Sequence, residues 1–473
     1  MESLTELIDL VTQKRVKKVE LFDESSRNKN SNYYKLFDGI HSQKYKSDDD
    51  AAQDIYQCSA SAKKYLILKT RLKQKLLNTL FFLDVERNED ISEYETSMQE
   101  CSKELYYAKI LLLNKHWKIA IPTIEKIFKK AQQMGLTLVE YECANLLRQF
   151  YCEQNNHKSF LEYKNFSDRA EQRMVAENRS SKFYQDVKAK YQKMKGDRSL
   201  IIKKAEDYAA ILGQDSRNFK SNLIKDNYLK IKNISARLSQ DYQDTLTNLQ
   251  EQEKHQKEAS FYFTARQAQD IQLEMLNTFC HIRREDHAEQ YLHHHSTSEE
   301  GSPAWFKIQE YRLLISLHSQ NYLQSTDVFR VALQQNAFRH LSFLSKEKWK
   351  CFQAYLHYVY KSKKNKSIRN FIQNSKINLK LSEYIDDRPP FAKEKRGLNI
   401  SILALQILFY LERWDLDGIN DCIQALDPYC RRYPKRDMNF RSECFILMLK
   451  EMQKEDFRFY QTKKAVEKPI RIC

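Results

Sequence analysis

The sequence predicts an all-α chain assembled from helical hairpins. Three observations carry that prediction. Glycine and proline are scarce, with 7 of each among 473 residues. Residues 123–300 hold no proline and only the glycines Gly135, Gly196 and Gly213. Finally, several short polar turns repeat one pattern at a spacing that two helices would fill. Glycine supplies left-handed backbone and close phosphate approach, and proline supplies rigid turns. A chain poor in both has little material for sheet hairpins or ligand-gripping loops.

Composition sets the next bounds. A single core stops growing near roughly 250–300 residues, so this chain must divide or elongate. Hydrophobic content is 41%, charged content 30% and aromatic content 12%. That balance fits an ordered body with much surface per residue. The formal net charge of +16 favours polyanionic partners without bearing on the fold. The ten cysteines stand singly, with no CxxC pair. The N-terminal MESLTELIDLVTQKR lacks the pattern of a signal peptide. No apolar run reaches the ~18 residues needed to span a bilayer. These features place the chain in the cytoplasm, with its cysteines as small buried hydrophobes.

From the N-terminus, Ser47-Asp48-Asp49-Asp50 reads as a capped helix start. A long helix is expected from there over residues 50–83, then an acidic turn and a new helix start over 84–104. Before Asn114, Leu105, Ala108, Leu111 and Leu112 recur at helical spacing. Ile121, Ile124, Ile127 and Phe128 do so after it, and Gly135 reads as a helix stop. Leu138, Tyr141, Ala144, Leu147 and Phe150 open the next helix.

The turns repeat. Asn114-Lys115-His116-Trp117 is followed by Ala120, and Asn155-Asn156-His157 by Phe160. Ser239-Gln240-Asp241-Tyr242 precedes Thr245, and Ser319-Gln320-Asn321-Tyr322 precedes Ser325. Glu412-Arg413-Trp414 forms a fifth copy. Weaker copies fall at Gly196-Asp197-Arg198, Glu285-Asp286-His287 and Lys366-Ser367. Successive anchors lie roughly 35–47 residues apart, enough for two helices of about 16–18 residues and two turns.

In these stretches the chain resembles tetratricopeptide-type repeats. LLLNKHWKIAIPTIEKIFKKA, over residues 111–131, carries Trp117 at that family's turn aromatic and Ala120 at its small helix-crossing residue. RLSQDYQDTLTNLQ, from Arg237, carries Tyr242 and Thr245 in the same slots. The resemblance covers residues 100–455 in degenerate copies. It implies an α-solenoid of stacked antiparallel hairpins with repeats of about 40–45 residues, longer than the family's roughly 34. The expected organisation is an N-terminal helical region (1–95), two helical-repeat segments (96–295 and 304–462) and a basic tail (463–473).

Three basic zones are candidate binding surfaces. Residues 348–382 hold nine Lys or Arg and no acid, centred on Lys361, Lys363, Lys364, Lys366 and Arg369. Trp349, Phe352, Tyr355, Tyr358 and Phe371 interleave. Cations neutralise phosphates and aromatics stack bases, although helical spacing equally suits core packing. The second zone is Lys63, Lys64, Arg71 and Lys75, beside a Tyr65, Leu68, Leu72, Leu76 stripe. The third covers residues 179–204. Cys280, His281, His287 and the run His293–His295 lack metal-ligand spacing, and no metal or cofactor is expected. Arg312 and His318 match the Arg-to-His spacing of HEPN-type helical ribonucleases, with Leu313 where that family has a polar residue. Walker, GxGxxG and GxSxG motifs are missing.

The expected function is a non-enzymatic scaffold or adaptor that holds a protein or peptide partner on a helical-repeat surface. Aromatics would serve as anchors and Lys/Arg would select acidic surfaces. The alternative is a nucleic-acid- or ribosome-associated protein using the basic patches, and a helical ribonuclease-like effector is a remote third.

Overall fold

The computed structural model describes residues 1–13, 31–80, 90–193, 198–295, 298–362, 396–432, 440–458 and 460–465. The fold is all-α, with no strand among the described residues. By its internal packing the chain divides into two compact units, Met1–Ala170 and Glu171–Cys473.

The first unit opens with α1 (Glu2–Gln13), α2 (Asn32–His41), α3 (Asp48–Tyr56) and α4 (Lys63–Thr79). These bury Leu4, Ile8, Leu36, Tyr65, Leu72 and Leu76 in one cluster. Gly39 is required there because the Tyr45 ring lies where its Cβ would be, at 2.1 Å. Asp48 ties the elements together. It accepts from Tyr65 Oη at 2.7 Å, Lys69 Nζ at 2.8 Å and the Met1 α-amino group at 3.0 Å. The single helix expected over residues 50–83 is therefore two. Gln57 takes a left-handed φ of 50° and the Cys58 N–H bonds back to Ala52, closing α3 without glycine or proline.

The second cluster of this unit comprises α5 (Glu93–Leu113), α6 (Trp117–Met134), α7 (Thr137–Glu153) and the start of α8 (His157–Lys193), within which the boundary between units falls. Cys101, Leu105, Ile124, Phe128, Cys143 and Leu147 fill the core. Helices α5, α6 and α7 pack consecutively as hairpins, and α5 also touches α7. Gly135 ends α6 at φ 68°, as its position in the sequence implies.

The second unit continues with α9 (Arg198–Asn218), α10 (Asn222–Leu238), α11 (Tyr242–Glu258), α12 (Ala265–Ile282), α13 (Glu285–His295), α14 (Pro303–His318) and α15 (Tyr322–Gln334). A 3-10 turn (Asn336–His340) leads to α16 (Phe343–Ser362), α17 (Arg396–Arg413), α18 (Leu416–Arg432) and α19 (Phe440–Lys454). Hairpin packing again links neighbours, and α12 also touches α14. On α10 no position is exposed, so its polar residues must find partners inside the fold.

The five principal turns share one geometry. Lys115, Asn155, Gln240, Gln320 and Trp414 all adopt positive φ, between 53° and 61°. The next N–H in each reaches back five residues, as from His116 to Leu111 at 2.9 Å and from Asn321 to Ser316 at 2.8 Å. This is the Schellman closure, built here on non-glycine residues. In four of the five the residue after it caps the following helix; His116 makes no side-chain cap. The side chains of Asn156, Asp241, Asn321 and Asp415 accept from the N–H of Ser159, Asp244, Gln324 and Gly418 at 2.8–3.3 Å. One residue thus ends one helix and starts the next.

That geometry corrects two turn assignments. Trp414 sits at the left-handed position, 74% exposed, and Leu416 takes the slot filled by Trp117 and Tyr242 elsewhere. Glu285-Asp286-His287 lies within α13, and the chain reverses earlier, at Arg283 with φ 52°. Gly196-Asp197 and Lys366-Ser367 lie outside the described residues.

Candidate functional site

In the second unit α10, α11 and α12 enclose a cleft of about 320 Å³. Two helices present matching stripes to it. Lys230, Asn233, Ile234 and Arg237 recur at i, i+3, i+4 and i+7 on α10, and Gln267, Asp270, Ile271 and Glu274 do so on α12. Ile234 and Ile271 are buried and form an apolar floor between polar walls. Gln252 and Gln256 of α11 complete the lining, with Tyr184 of α8 at one edge.

A buried relay fixes the polarity of these groups. The Asp226 carboxylate can only accept, and it holds Lys230 Nζ at 2.6 Å. It also takes a hydrogen bond from Gln252 Nε2 at 3.2 Å. The Gln252 Oε1 therefore faces Asn233, whose Nδ2 donates to it at 2.8 Å. The remaining acceptor, Asn233 Oδ1, is buried without a partner. Leaving such a group unsatisfied costs about 1–3 kcal/mol. Gln256 is only 8% exposed and lines the same cleft, and no described residue hydrogen-bonds its amide.

The charges divide cleanly. Arg237 pairs with Glu274 and Lys230 with Asp226, whereas Asp270 is exposed and has no ion pair among the described residues. The cleft therefore offers one free amide and one uncompensated carboxylate. It offers no uncompensated cation to a phosphate.

The sequence-derived sites fare differently. On α4, Lys63, Lys64, Arg71 and Lys75 fall on one flank within about 120°, at 100° per residue. Two of the four are engaged. Lys64 Nζ donates to the Tyr56 carbonyl at 2.8 Å, and Lys75 lies 5.4 Å from the Tyr33 ring centroid. Lys63 and Arg71 are exposed. Lys363, Lys364, Lys366 and Arg369 lie outside the described residues, as do Phe371 and the side chain of Lys361. Trp349 and Phe352 of that zone are buried in the core of α14–α16, where they cannot stack bases. In the third zone Arg179 binds Asp215 through two nitrogens, and Lys190 and Lys204 share Asp186, so these cations serve the fold.

His281 stacks on Tyr242 with centroids 4.3 Å apart, and no cluster of metal-ligand residues forms among the described residues. Arg312 and His318 both lie on α14, six positions apart and so on different faces. Burial pulls the Arg312 guanidinium below its usual range, and burial with nearby Arg283 does the same to the His318 imidazole. No helix among the described residues is long and apolar enough to cross a membrane.

Sequence reasoning missed the cleft because charged and amide residues at helical spacing ordinarily mark a wet face. The available signal was the echo of K-x-x-N-I-x-x-R in Q-x-x-D-I-x-x-E, 37 residues on, the separation that also joins Arg237 to Glu274.

No family model matches the chain, and no curated protein or solved structure matches it either.

Proposed function

We propose that this protein is a non-enzymatic adaptor whose tetratricopeptide-like hairpins stack as a solenoid and hold a protein or peptide partner. The observation that carries the reading is the shared turn, a Schellman closure on Lys115, Asn155, Gln240, Gln320 and Trp414. A repeated turn makes a repeated hairpin, and one hairpin cannot bury its apolar faces alone. Contacts of α5 with α7 and of α12 with α14 support such stacking. The cleft on α10–α12 supplies a polar surface suited to a partner chain.

A second reading, association with nucleic acid, draws on the α4 flank, where Lys63 and Arg71 are exposed together. The two readings separate by one comparison. Cross-linking of the full chain in cell extract, before and after nuclease treatment, should recover a defined protein partner that survives the nuclease. Loss of all cross-links with nuclease, together with salt-sensitive retention on heparin, would reverse the assignment in favour of the polyanion reading.

A further inference from the structure

We propose that the cleft on α10–α12 binds an extended peptide segment carrying a lysine or arginine side chain. The inference rests on the adaptor reading and names its ligand. Gln256 is more than nine-tenths buried, lines the cleft and has no hydrogen-bond partner among the described residues. A side-chain amide carries donors and an acceptor, so it can pair with both the C=O and the N–H of one peptide unit. The Asn233–Gln252–Asp226 relay lies buried beneath the lining and occupies Gln252, so Gln256 is the amide left for a main-chain contact. Ile234 and Ile271 give the segment an apolar floor.

Charge selects the side chain. Lys230 and Arg237 are already matched by Asp226 and Glu274, which leaves Asp270 as the uncompensated charge. A lysine or arginine on the ligand would complete it, whereas a phosphate or a glutamate would face that carboxylate and find both cations of the cleft already paired. The cleft thereby favours a cationic peptide over nucleic acid, despite the net charge of +16 on the whole chain.

The test uses the full-length protein and short fluorescent peptides of matched length, one lysine-containing, one glutamate-containing and one uncharged, with an oligouridine as control. Fluorescence anisotropy should rank the lysine peptide first. Asp270→Lys should weaken that peptide by about tenfold or more and abolish the preference for it. Gln256→Leu should weaken the lysine and uncharged peptides by similar factors and keep the ranking, because it removes a main-chain contact. Asp270 is exposed, so its substitution leaves the fold intact and a negative result stays interpretable. Unchanged affinities in both variants would overturn the proposal. If the cross-linked partner still binds both variants as before, the adaptor reading stands and the cleft assignment falls. If the oligouridine binds and no peptide does, both fall.

Discussion

Asn233 and Gln252 are joined across the α10–α11 interface by a 2.8 Å hydrogen bond whose direction is dictated one step further on, at Asp226. Because the carboxylate only accepts, Gln252 must turn its NH₂ toward it and its carbonyl toward Asn233. The three residues are each 4% exposed. The arrangement leaves the Asn233 Oδ1 acceptor without a side-chain or backbone partner among the described residues.

Removing the origin of that relay should be expensive. Asp226→Ala leaves Lys230 without its carboxylate and Gln252 without an acceptor. The expected loss is about 3 kcal/mol, the low end for a broken buried pair because Lys230 keeps some water contact. Urea unfolding should show a lower midpoint at an unchanged slope. By contrast, the double variant Asn233→Leu with Gln252→Leu exchanges both buried amides for apolar groups of similar size. Asp226 loses one donor but keeps Lys230, so the double variant should cost less than Asp226→Ala, and a loss above about 2 kcal/mol would argue that the amides are structural.

The turns make an opposite prediction. Lys115, Gln240 and Gln320 hold left-handed φ values of 61°, 58° and 59°. A side chain there costs about 1–2 kcal/mol, in part returned by the back-bonded N–H groups. Lys115→Gly, Gln240→Gly and Gln320→Gly should each raise stability by about 0.5 kcal/mol in thermal melts, net of the entropy glycine adds to the unfolded chain. Asp241→Ala, which loses the 2.8 Å cap on Asp244, should cost about 1 kcal/mol.

Acid should weaken the N-terminal cluster through Asp48. Burial opposes its charge, but hydrogen bonds from Lys69, Tyr65 and the Met1 α-amino group prevail and hold the carboxyl at about 2, against an ordinary 3.8. A carboxyl depressed in the folded state stabilises above its unfolded value, and the benefit is lost as pH falls through the folded one. The stabilisation, on the order of 2 kcal/mol, should be complete above about pH 5 and vanish between about pH 4 and 2. Asp48→Asn should flatten that segment of the pH–stability curve, measured by denaturant unfolding.

Gly39 offers a steric test. The Tyr45 ring occupies its Cβ position, and Tyr45 Oη is fixed on Asp54 at 2.5 Å. Gly39→Ala should destabilise the protein by about 1–3 kcal/mol, the usual cost of overpacking. Pairing it with Tyr45→Ala should remove much of the additional penalty, because the three atoms nearest the new Cβ all belong to the Tyr45 ring.

The sequence by itself determined the all-α class and most of the principal turns. Residues 123–300 offer no proline, and local bonding alone forms helices from such a stretch. Asn156, Asp241, Asn321 and Asp415 could close one helix and cap the next because each acts only on its immediate neighbours. The break at Gln57 was not legible, since a left-handed glutamine carries no sequence mark. Tertiary structure alone decided which charges are spent. Arg179 meets Asp215 from 36 residues away, Arg237 meets Glu274 from 37, and Trp349 is buried in the core of α14–α16. Composition reports a strongly basic chain, yet the cleft is left with a free carboxylate. Charge matching and amide polarity depend on which helices lie side by side, a relation that spacing along one chain does not encode.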